Sequence, residues 1–122
     1  MTVSLVVVEH PPAVLQSLLD RLAIERDLRI VGETSHTSAA VDLTRLHQPD
    51  VVLLDAEMPN VNVSAMIQAL GSCGPRSAVV ILTINPASAQ SDSPTVTVVG
   101  KHQGIPALLA AIRVAGARDR HA

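Results

Sequence analysis

Asp55 is the residue whose type and setting most invite chemistry. It closes the run Val51-Val52-Leu53-Leu54 and leads directly into Ala56-Glu57-Met58-Pro59. Four consecutive aliphatic residues read as a strand buried on both faces of a parallel sheet. A carboxylate at its end stands at the carboxyl edge of that sheet, where open α/β folds place their ligand crevice. Pro59 cannot continue the strand and stiffens the loop that carries the acid. Two readings of Asp55 follow: a functional acid in that crevice, or an aspartate that caps a turn or the next helix. Lys101, after a later strand, reads by itself as a surface lysine.

Other chemistries find little support. There is no glycine-rich phosphate loop, dinucleotide fingerprint or nucleophile elbow. The histidines His10, His36, His47, His102 and His121 lack metal-site spacing, and Cys73 in Gly71-Ser72-Cys73-Gly74 has no basic neighbour in sequence to activate it. One cysteine cannot form an internal disulfide. The net charge of −2 gives no electrostatic reason for this segment to bind nucleic acid directly, and the absence of Phe, Tyr and Trp removes base stacking. No apolar run is long enough to span a membrane, and Met1-Thr2-Val3-Ser4-Leu5 lacks the features of a signal peptide, so a cytoplasmic location is expected.

The chain of 122 residues fits one domain, whose core must be built from Leu, Val, Ile and Ala. Apolar runs alternate with helical periods, the mark of an α/β fold. Strands are predicted at Val3 to Val8, Leu28 to Val31 (closed by Gly32), the Asp55 segment, Ala78 to Leu82 and Thr95 to Val99. Pro11 and Pro12 open a helix with an apolar stripe of Val14, Leu15, Leu18, Leu19 and Leu22. Further helices are predicted at Ser38 to Leu46 (Ala39, Val41, Leu43 and Leu46 inward or partly so), Ser64 to Leu70 (ended by Gly71), and Pro106 to Ala115 (Leu108, Leu109 and Ile112 inward). Asn85 to Pro94 reads as loop. The domain is expected over residues 1–116, with residues 117–122 a polar tail or the start of a linker.

This ordered set resembles the receiver domain of two-component response regulators, and most closely those that precede a helix-turn-helix DNA-binding domain. Val7-Val8-Glu9-His10-Pro11 is similar to the family's first-strand motif. Val31-Gly32-Glu33, Gln48 through Asp55, and Met58-Pro59 match the run through the phosphoacceptor. Leu82-Thr83 corresponds to the strand-four hydroxyl, Lys101 to the strand-five lysine, and Leu108 through Arg113 to the final helix. The resemblance implies a flavodoxin-like, doubly wound five-stranded parallel sheet of order 2-1-3-4-5. It implies that Asp55 accepts a phosphoryl group from a sensor histidine kinase, and that Mg²⁺ is held by Glu9, Asp55 and the backbone carbonyl of Glu57. Thr83 and Lys101 would contact the phosphoryl group, Thr83 shifting inward on its arrival.

Three departures mark the receiver as atypical. Val8 stands where the family has a second acid, which weakens the Mg²⁺ site. Val98 replaces the aromatic residue that rotates with the threonine. The interval from Thr83 to Lys101 is short, so the fourth helix is reduced or missing. The resulting expectation is a non-enzymatic input module for an attached or partner transcriptional output. The competing reading is a pseudo-receiver that works without phosphorylation, through dimerisation or ligand binding, and a third is a small hydrolase using Asp55 and Lys101. The broad apolar face of the last helix, with Ile105, Leu108, Ala111, Ile112 and Val114, is a candidate homodimer surface.

Overall fold

In the computed structural model, which describes residues 2–89 and 93–118, five parallel strands form one sheet of order β2-β1-β3-β4-β5. The elements are β1 (Val3–Val8), α1 (Pro12–Leu22), β2 (Leu28–Thr34), α2 (Thr37–His47), β3 (Val51–Asp55), α3 (Val63–Cys73), β4 (Ala78–Thr83), β5 (Val96–Gly100) and α4 (Gly104–Arg118). Short 3₁₀ turns lie at Pro86–Ala89 and Lys101–Gln103. β3 is central and every residue of it is buried, as its unbroken aliphatic run requires.

Side chains alternate across the sheet and build two apolar layers. Leu5, Val7, Leu53 and Val80 meet Leu15, Leu19 and Leu22 of α1 and Leu108, Leu109 and Ile112 of α4. Val6, Val8, Val52, Leu54 and Ile81 meet Ala40 of α2 and Leu70 of α3 on the other face. With no aromatic ring to fill space, α4 lends Ala115 as well, and Gly116 lies so near β1 that a Cβ would sit 2.7 Å from a Val3 methyl.

Several boundaries differ from the sequence expectation. β2 runs through Gly32 to Thr34, because its ladder with β1 resumes at Val6↔Gly32 after a register shift and continues to Val8↔Thr34. α3 passes Gly71 and stops at Gly74, while Asn62 caps its start by accepting the Ala65 N–H at 3.0 Å. In α1, Val14 lies on the outer edge of the stripe and is 47% exposed. In α2, Leu46 is exposed and Thr44 is buried in its place, which the hydroxyl tolerates by donating to the Ala40 carbonyl at 2.8 Å. α4 starts two residues before Pro106 and runs on through Ala117 and Arg118; residues 119–122 of the expected tail lie outside the described residues. The expected loop of Asn85 to Pro94 contains the 3₁₀ turn, and among the described residues no α-helix joins β4 to β5; residues 90–92 lie outside them.

The amino edge of the sheet is laced by polar contacts. Ser4 and Asp50 exchange side-chain bonds with each other's backbone N–H at 2.8 and 2.9 Å. Arg113 of α4 reaches Asp27 at 2.7 Å and Glu25 at 2.8 Å, on the segment between α1 and β2.

Candidate functional site

Strand order reverses between β1 and β3, which leaves a crevice at their carboxyl ends. Parallel register brings the predicted residues to it: Val8 pairs with Leu54, Asp55 with Leu82, and Thr83 with Gly100, the residue before Lys101. Glu9, Asp55, Thr83 and Lys101 thus gather at one edge from four strands.

Asp55 is 3% exposed. Its Oδ1 pairs with Lys101 Nζ at 2.9 Å and accepts the Glu57 N–H at 2.9 Å. Burial opposes charge on Asp55, but the hydrogen bonds from Glu9, the Glu57 N–H and Lys101 outweigh it and hold the carboxyl below its usual range. Burial also opposes charge on Lys101, yet its bonds to Asp55 and Glu57 raise the ammonium above its usual range. The cation and the acid therefore keep each other ionised.

Glu9, equally buried, behaves in the opposite way. Burial first, then its hydrogen bond to Asp55, push its carboxyl up to about 8, although the His10 N–H and Lys101 favour the charged form. Of the two neighbouring carboxyls, Glu9 is therefore the one that holds a proton more readily, and Asp55 the one that stays ionised. Two buried carboxyl groups holding one proton is a donor set that fits a hard dication. Mg²⁺ needs one or two carboxylates beside water, and its binding would release the shared proton. Among the described residues no three His, Cys, Asp or Glu side chains form a ready-made cage. Val8 explains part of this, since its side chain is fully buried in the apolar layer and supplies no oxygen.

The sequence pointed to Glu57 only through its backbone carbonyl; the structure adds its side chain. The carboxylate accepts the Thr83 hydroxyl at 2.5 Å and the Ile84 N–H at 2.9 Å, and pairs with Lys101 Nζ at 3.0 Å. Neither this side chain nor the Ile84 N–H was singled out from the sequence. The available signal was an acid two residues beyond Asp55, on the loop facing the Thr83 and Lys101 strand ends.

Val98 is half-buried against the α2–α3 layer. Leu108 and Ile112 lie in the core, as their inward spacing predicts, and cannot also form the homodimer face expected on α4; Ile105 and Ala111 are packed against that core, and only Val114 of the set is largely exposed, at 58%. The helix is broad in its apolar surface because it covers the sheet. A cavity of about 370 Å³, lined by Val14, Leu18, Leu82, Ile105 and Leu108, opens beside Glu9 and Lys101 between α1 and α4.

The family model for the response regulator receiver domain matches residues 5–113. The chain belongs to that family. This receiver domain is 29% identical over 84 residues to a protein-glutamate methylesterase/protein-glutamine glutaminase of Shewanella sp. MR-4, covering 69% of the chain and 24% of that protein. It is 31% identical over 81 residues to the transcriptional regulatory protein DesR of Bacillus subtilis, covering 66% of the chain and 40% of that protein. The receiver therefore spans well under half of the curated relatives it matches. Its fold is that of the signal receiver domain of an HD domain-containing protein from Pseudomonas fluorescens Pf-5, with a TM-score of 0.83, 16% identity and full coverage of both chains. Among the described residues of the receiver, no helix is long and apolar enough to cross a membrane.

Proposed function

We propose that this receiver takes a phosphoryl group on Asp55 from a sensor histidine kinase and passes the event to a transcriptional output, attached or in a partner. The observation that carries the reading is the buried Asp55 carboxylate, held ionised by Lys101 at 2.9 Å on the crevice edge of β3. A carboxylate oxygen of Asp55 attacks the phosphorus of the phosphohistidine; the O–P bond forms, the P–N bond breaks, and the imidazole leaves and takes up a proton. Glu9, Asp55 and the Glu57 carbonyl are the residues that would hold Mg²⁺. When bound, the ion would neutralise charge on the transferring group. Lys101 supplies a fixed cation and Thr83 a hydroxyl donor. The transcriptional output is favoured by DesR, and by the probable transcriptional regulatory protein NarL of Mycobacterium tuberculosis, 31% identical over 70 residues. The methylesterase relatives represent another output.

Intact mass after incubation with phosphoramidate and Mg²⁺ tests the reading. One added phosphoryl group is expected, and none in Asp55→Asn. Equal gain in both proteins would place the modification elsewhere. No gain, with a cognate kinase also failing, would favour signalling without phosphorylation, the reading supported by the missing acid at Val8.

A further inference from the structure

The donors around Asp55 already serve an anion, and that anion is part of the protein. Glu57 Oε2 accepts the Thr83 hydroxyl, while Oε1 accepts the Ile84 N–H and meets Lys101 Nζ. The same Nζ also holds Asp55 Oδ1, so one ammonium joins the two carboxylates. A backbone N–H, a hydroxyl and an ammonium converging on oxygens form a set suited to an oxyanion.

We propose that the Glu57 carboxylate is the resident ligand of this cradle, and that an incoming oxyanion gains Thr83, Ile84 and Lys101 only by displacing it. The identity of the incoming group, a phosphoryl group on Asp55, rests on the function proposed above; the occupancy by Glu57 does not. The two sides of the exchange differ in their access to water. The Glu57 side chain is 31% exposed and rehydrates when it swings out. Thr83 is 2% exposed, so its hydroxyl needs another acceptor when Glu57 leaves. An oxyanion offers that acceptor, and the exchange is then one anion for another.

Charge alone would also make Glu57 oppose an anion, and chain length separates the two explanations. Glu57→Asp keeps the charge but shortens the arm by one methylene, about 1.5 Å, too far from Thr83 and Ile84 for a hydrogen bond. Glu57→Gln keeps the reach.

The experiment uses the ¹⁵N-labelled full chain, first without divalent cations. Displacement predicts that the Ile84 amide shifts and exchanges faster in Glu57→Asp and Glu57→Ala, and stays near wild type in Glu57→Gln. Beryllium fluoride with Mg²⁺ is then titrated, and half-saturation is expected at tenfold or more lower concentration in Glu57→Asp and Glu57→Ala than in wild type. An unchanged Ile84 amide in Glu57→Asp overturns the occupancy. Beryllium fluoride binding in Glu57→Asp equal to wild type overturns the displacement and leaves the phosphoacceptor reading intact. No uptake by any variant, with the Ile84 amide still shifted in Glu57→Asp, overturns the phosphoacceptor reading and leaves Glu57 as the resident ligand on the strength of the amide.

Discussion

Lys101→Met removes the ammonium and keeps most of the apolar stem. In the absence of divalent cations it leaves Asp55, 3% exposed, without its cation. Stripping one partner from a fully buried pair costs roughly 3–5 kcal/mol. The Lys101 side chain is 32% exposed, so solvent screening lowers this, and the Glu57 arm, itself partly exposed, adds at most about 1 kcal/mol. The expected loss at pH 7 is about 2–3 kcal/mol. With a urea slope of roughly 1–3 kcal/mol per molar for a small domain, the midpoint falls by about 0.7–3 M. Asp55 has a depressed pKa in the folded state, so the stabilisation from Lys101 is present above the unfolded carboxyl value of 3.8 and is lost as pH falls through the folded one. The cost of Lys101→Met therefore shrinks in acid. Without Trp or Tyr the chain offers no intrinsic fluorescence, and far-UV circular dichroism is the assay. Repeating the substitution in Asp55→Asn completes a double-mutant cycle. A loss just as large in that background would refute the reasoning, since it would show that the ammonium does not act through Asp55.

Glu9→Gln tests the shared proton. A carboxyl raised from 4.5 to about 8 binds more protons folded than unfolded, so its contribution to stability is full below 4.5 and declines as pH rises toward 8. Metal-free urea midpoints across that window should fall in wild type and stay flatter in Glu9→Gln; parallel curves would contradict the assignment. In α4, Ile112→Ala should cost about 2–5 kcal/mol as a core truncation, whereas Val114→Glu should stay within about 0.5 kcal/mol. Sedimentation of Val114→Glu should match wild type, and dissociation of an oligomer by that change would return the helix to the role of a homodimer face.

The sheet order was legible because each strand is a short aliphatic run and β3 admits no face to water. Asp55, Thr83 and Lys101 were legible because a strand end is fixed once the strand is fixed, and parallel register then brings the ends together. What escaped were features set by distance across space. Ile105 and Ala111 read as surplus apolar surface because nothing in α4 alone reveals how much of the sheet it must cover. The Glu57 side chain was missed because a loop residue two positions past a strand end has no periodicity to say where it points. Gly32 looked like a stop, yet the β1 ladder carries β2 through it.

The Arg113 contacts give α4 two kinds of hold. Its 15 residues span about 22 Å, with Arg113, the tenth of them, held by Glu25 and Asp27, and with Ile105 in the first turn packed against the core, four residues after Lys101. Charge thus holds the helix toward the amino edge of the sheet, and apolar packing holds it beside the acids. Added salt weakens the first hold and leaves the second.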